Sequence, residues 1–214
     1  MMYKCLGEGH ESPYTGLVWP VETGDWTPAR KPVLCRSGWH LSSLAGLAGH
    51  LVRGELWEAE GRGEHVSGDD KAAYSQVRLV RQVGKVEKYQ LHELACDFAE
   101  HVLHLWEVKF PQDLRPRQAI EVSRRFARGE ATAEELERSL FAARNALYDD
   151  TVCHNGASYA ALAATEAASW PTTCAEAACA AVCAVDFTVY SHVVYAACAA
   201  ERLWQGRRIL EVIG

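Results

Sequence analysis

The spacing of apolar residues changes character at about residue 88. Before it, they come in short runs: MYKCL (2–6), TGLVWPVE (15–22), KPVLCR (31–36), ELWEAEG (55–61) and SQVRLVRQV (75–83), separated by Gly, Pro and Asp. Short runs rich in Val, Leu, Tyr and Trp and bounded in this way predict strands joined by turns. The last nearly alternates, with Val77, Leu79 and Val83 on one face. Between the third and fourth runs, LSSLAGLAGHLVRG (41–54) has Leu41, Leu44, Leu47, Ala48 and Leu51 at helical spacing, with Ser42 or Ser43 placed to cap it. A helix is expected there, with Gly38, Trp39 and His40 at a strand-to-helix corner.

After residue 88 the period is helical throughout. Leu91, Leu94, Ala95, Phe98, Val102 and Leu105 form one stripe along residues 88–108. Pro116 suits the first turn of a second helix and Gly129 its end. TAEE, from Thr132 to Glu135, is a capping box that opens a third, and Thr173 with Glu176 forms another after Pro171. The segments 157–170, 172–187 and 188–205 are rich in alanine, which lets helix axes approach closely in a compact bundle. The expected fold is α+β: a small mixed or antiparallel β domain with one or two helices over residues 1–88, then an all-α bundle over 89–214.

Composition supports the division, because four of the seven Trp (Trp19, Trp26, Trp39 and Trp57) fall in the first 57 residues. At 49% hydrophobic and 23% charged, the chain has the make-up of a soluble globular protein. Its 28 acidic and 22 basic residues give a net charge of -6, which argues against general nucleic-acid binding. The basic residues Arg115, Arg117, Arg124, Arg125 and Arg128 lie on a predicted helix among acids and read as a solvated face. No run approaches the roughly 18 apolar residues of a membrane span, and MMYKCLGEGH lacks the pattern of a secretory signal. The eight cysteines are scattered, several within alanine-rich helices such as Cys174, Cys179, Cys183 and Cys198, and none forms CxxC. Free thiols in a cytoplasm are expected, with core filling as the role of the helical ones.

Two places carry candidate chemistry. LCRSGWHLSS (34–43) gathers Arg36, Trp39, His40 and Ser42 around Gly38. If a helix starts there, its unpaired N–H groups favour an anion, Arg36 and His40 add charge, and Trp19, Trp39 or Trp57 could stack on a base or ring. A phosphate or carboxylate ligand fits, although Gly38 as a tight turn and Trp39 as core filler account for the same residues. Asp97, His101 and His104, at i, i+4 and i+7 on one helical face, suit a borderline metal only weakly. A polar flank of an amphipathic helix is the plainer account, and no cofactor is implied.

Three resemblances add expectations. The blocks YKCL, YTGLVWP, LCRSGWHLSS, LWEAEGRGE and DDKAAYSQVRLVRQV resemble an uncharacterised domain family of phage and actinobacterial proteins, over about the first 88 residues. A glycine-aromatic step before small polar residues is also similar in pattern to the middle of the ADP-ribosyltransferase fold, and implies roles in nucleotide binding for His10, Ser42 and Glu60 or Glu64. RPRQAIEVSRRFARGEATAEELERSLFAARNA, the alanine-rich middle and AAERLWQGRRILEVI resemble the helical domain of bacterial immunity proteins, from about residue 113 onward. This last resemblance implies a non-enzymatic accessory protein of phage or mobile-element type, in the cytoplasm of a bacterial host, that binds and neutralises a partner. The partner is a protein or a small anionic or nucleotide ligand, not a nucleic acid or a membrane, and a homo-oligomer is left open. An ADP-ribosyltransferase-like nucleotide-binding protein or enzyme is the alternative.

Overall fold

The computed structural model describes residues 1–20, 22–149, 156–168, 175–186 and 194–214. They form two compact units, one of residues 1–87 with 206–214 and one of residues 88–205. The architecture is α+β, with an antiparallel sheet followed by six helices.

In the first unit four antiparallel strands, β1 (Met2–Leu6), β2 (Trp39–Ser42), β3 (Gly54–Ser67) and β4 (Lys71–Val86), close into a small barrel in the order β1-β2-β4-β3. β1 pairs with β3 from Met2 opposite Ala59 to Leu6 opposite Glu55, and on its other edge with β2 at Tyr3 opposite Ser42. Three register shifts along the β3–β4 ladder supply the local bending and twist that such long strands need to coil around a core. Trp19, Trp39 and Trp57 fill that core with Leu6, Leu41 and Leu79. Trp19 and Trp39 meet edge to face at 5.2 Å and 81°, a geometry worth roughly 0.5–1.5 kcal/mol beyond the area it buries. Glu58 and Glu60 stand directly opposite Arg81 and Arg78 and pair with them at 2.6 and 2.7 Å, which favours this register over a slipped one.

Several local expectations are corrected. Among the described residues the runs 15–22 and 31–36 form no strand; Val18 and Val33 make isolated bridges, to Glu11 and Ser37. Residues 24–30 instead lie along β4, where the N–H groups of Gly24, Thr27 and Arg30 donate to the carbonyls of Leu79, Val77 and Ser75. β2 ends its pairing at Tyr74, so this segment satisfies the stretch of β4 edge that the short strand leaves. The helix expected from Leu41 to Leu51 is absent as well. Trp39–Ser42 is strand, and only Leu47–His50 forms a short 3-10 turn. Ser43 Oγ donates to Asp70 O and accepts from Gly46 N–H, which turns the chain where a helix would have continued. Gly38 therefore precedes a strand, and no helix N-terminus stands at that corner. Its φ of +87° and the 2.9 Å that would separate a Cβ from Pro32 Cα explain the glycine.

The second unit contains α1 (Lys88–Lys109), α2 (Arg115–Ala127), α3 (Ala133–Asp149), α4 (Gly156–Ala168), α5 (Ala175–Asp186) and the first part of α6 (Val194–Ile213). α2 stops in a Schellman motif: Glu130 N–H donates to Arg125 O, Gly129 N–H donates to Phe126 O, and Gly129 has φ +76°. The capping box before α3 forms as expected, with Thr132 N–H donating to Glu135 at 2.7 Å and Glu135 N–H donating to Thr132 Oγ1 at 3.1 Å. Thr173, needed for the second box, lies outside the described residues, as does Cys174. α4 packs against α1, α2, α3 and α5, and its buried Ala160, Ala161, Ala163 and Ala164 are small enough to admit four neighbours. Among the described residues no helix is long and apolar enough to cross a membrane.

Gly38→Ala is expected to lower stability by roughly 2 kcal/mol, from the left-handed backbone alone, with further loss from contact with Pro32. Urea denaturation of both chains checks this, and an unchanged midpoint would show that the turn tolerates a side chain.

Candidate functional site

The first unit contains a cleft of about 320 Å³, lined by residues from β1, β2, the start of β4 and the loops beside them. Lys4 comes from the middle of β1. By strand alternation it shares a face with Met2 and Leu6, which pack into the tryptophan core. Its ammonium donates to Ser12 Oγ at 2.9 Å and lies 5.3 Å from the centroid of the Trp19 ring. Burial lowers its pKa to about 8, against a small opposing pull from Cys5. The neighbouring Cys5 thiol donates to Val52 O at 3.0 Å, and burial pushes it up to about 11.

His40 and Ser42 enter from β2. His40 Nε2 accepts the N–H of Cys35 at 3.0 Å, which places the neutral ring's proton on Nδ1. Burial and then the charges of Lys4 and Lys71 hold its pKa below the usual imidazole value, outweighing backbone hydrogen bonds with Gly38 and Val33. Cys35 is itself held at φ +60°. On a further wall, His50 Nε2 meets Asp70 Oδ2 at 2.6 Å, and Lys71 Nζ lies 3.9 Å from the same oxygen. Burial raises the Asp70 pKa, but the hydrogen bond and charge of His50, with Lys71, outweigh it and keep the carboxyl below its ordinary range.

The structure divides the residues expected at the corner. His40 and Ser42 line the cleft. Arg36 sits on the exposed turn that follows Val33 and is not a lining residue. Trp19, Trp39 and Trp57 are 2%, 3% and 7% exposed in the barrel core, with Trp39 Nε1 donating to Pro28 O and Trp57 Nε1 to Glu55. Of the residues singled out by the ADP-ribosyltransferase pattern, only Ser42 lines the cleft. His10 meets Glu55 at 3.3 Å, Glu60 is held by Arg78, and Glu64 is exposed on β3. Lys4, Ser12, His50 and Lys71 escaped the sequence reading. A lysine in the middle of the apolar run MYKCL was the available signal, because a strand buried on both faces has no ordinary place for a charge.

In the helical unit Asp97, His101 and His104 go separate ways. Asp97 accepts from Arg124 at 2.6 Å, and Arg124 also donates to Glu100. His101 Nδ1 donates to the buried Glu201 at 2.8 Å, and its ring stacks on Trp204 with centroids 3.6 Å apart. Gln205 donates to Glu201 and to Ala178 O. His104 is exposed and donates to His101 O. Among the described residues no group of three or more His, Cys, Asp or Glu gathers where a metal ion could sit.

A family model described as Imm-5 like putative immunity protein matches residues 81–212, more than half of the chain. No curated protein and no solved structure matches.

Lys4→Met in phosphate-free buffer is expected to stabilise the fold at pH 7 by on the order of 1–3 kcal/mol, since a pKa unit is worth about 1.4 kcal/mol. The folded pKa is depressed to about 8 from 10.5, so the native charge costs stability below pH 8 and the cost fades as pH rises toward 10.5. The advantage should therefore shrink over that window, and a variant less stable than the parent at pH 7 would contradict it. Among the described cysteines, Cys35 and Cys179 are exposed while Cys5 and Cys96 are buried with pKa values pushed up to about 11. Brief native alkylation followed by peptide mapping should label the first two and leave the second two until denaturant is added.

Proposed function

The chain belongs to the Imm-5 like putative immunity protein family, and from that premise we propose that it is a non-enzymatic protein that binds and neutralises a protein partner. The observation that carries this reading is the family match itself, which spans the whole of residues 88–205. The terminal ERLWQ block supports it by what it does in the helical unit: Glu201, Trp204 and Gln205 tie α6 to α1 and α5 through His101, Phe98 and Ala178. These bonds lock side chains that would otherwise be free, giving a pre-organised body that loses little entropy when it meets a partner.

Proteins captured by the tagged chain in its native host should include one that arrests growth when expressed alone. Co-expression with this chain should restore growth, and the two should elute together as a stoichiometric complex. Captured proteins that are all harmless, or growth that stays arrested on co-expression, would overturn the reading.

A further inference from the structure

The cleft of the barrel unit has the chemistry of an anion site. Among the described residues no carboxylate lines it, although acidic residues outnumber basic ones by 28 to 22 in the chain; its walls carry two lysines and two histidines. Lys4 is 9% exposed, and among the described residues its polar partner is the neutral Ser12 hydroxyl, with no carboxylate in ion-pair range. A buried ammonium in that position has lost its water without gaining a counter-charge, so an arriving anion recovers what desolvation cost. Asp70 reaches His50 and Lys71 but is not among the lining residues, which leaves the cleft interior cationic.

The form of the anion follows from the other groups. Two ammonium groups match a dianion better than a single carboxylate, and the Ser12 and Ser42 hydroxyls give additional donors for a group with several oxygens. The volume, about 320 Å³, is at the lower end of the range for small-molecule sites and leaves room beyond one phosphate. Tyr14, also lining the cleft and 63% exposed, stands edge-on to His50 at 6.1 Å and offers a ring face at its mouth. We infer that the cleft binds a small phosphomonoester of mononucleotide size, its phosphate held by Lys4 and Lys71 and its organic part directed toward Tyr14. This site is separate from partner neutralisation, which rests on the helical unit, and either can fail without the other.

Calorimetric titration of the full chain in phosphate-free buffer tests it with AMP, inorganic phosphate and adenosine. AMP should bind, inorganic phosphate should compete with it more weakly, and adenosine should give no measurable binding. Lys4→Met and Lys71→Met should each raise the AMP Kd at least tenfold, while Lys31→Met, at an exposed position outside the cleft, should change it less than twofold. Lys71 is part exposed at the start of β4, so its variant tests the site independently of the buried Lys4. The inference is overturned if neither AMP nor phosphate binds, if adenosine binds as well as AMP, if phosphate binds as tightly as AMP, or if Lys71→Met binds AMP like the parent.

Discussion

The barrel unit depends on one short strand having a partner on each edge. β1 takes β3 along one side and meets β2 on the other, and without the second pairing the four strands would be an open sheet with unpaired N–H and C=O groups at both margins. Closure removes that cost. It also leaves β1 almost no exposed surface: Tyr3, Lys4, Cys5 and Leu6 are all buried. The lysine in the middle is consequently buried by topology, and the same backbone pairing that orders the core holds its ammonium against Ser12 and Trp19.

The two units treat charge differently. In the helical unit the ionic groups are matched side by side: Arg124 with Asp97 and Glu100, Arg117 with Glu107, and buried Glu201 with His101 and Gln205. Such pairs orient helices, and where they are solvent-exposed they add little stability. On the barrel exterior Arg78 and Arg81 are matched across strands in the same manner. The cleft departs from this habit, with basic side chains facing a space that no carboxylate lines among the described residues. A protein surface that pairs its ions elsewhere and leaves the buried Lys4 ammonium in a concave group of basic side chains with only a hydroxyl for a partner has the electrostatic form of a binding site.

Much of the helical unit was legible because its signals are local. Thr132 and Glu135 cap a helix by contacts three residues apart, Gly129 ends one by its own backbone freedom, and the stripe from Leu91 to Val102 shows its buried face by period alone. The first half was legible only in part. β1 matches the run MYKCL, and β3 and β4 contain the runs from Glu55 and Ser75. LSSLAGLAGHLVRG misled, since buried leucines at helical spacing are also what a strand followed by a 3-10 turn presents, with Leu41 on the one and Leu47 on the other.

The sequence by itself determined the division into a turn-rich β region and a capped helical one, with the end of α2 and the start of α3, because each follows from neighbours within a few residues. Tertiary structure alone decided where the basic side chains meet. Lys4, His40, His50 and Lys71 are far apart in the chain and converge only when β1 closes the barrel and β2 pairs with the start of β4. Arg36, beside His40 in sequence, is carried away on an exposed turn. Long-range strand pairing leaves no mark in local period or composition, so its consequences for charge appear only in the folded chain.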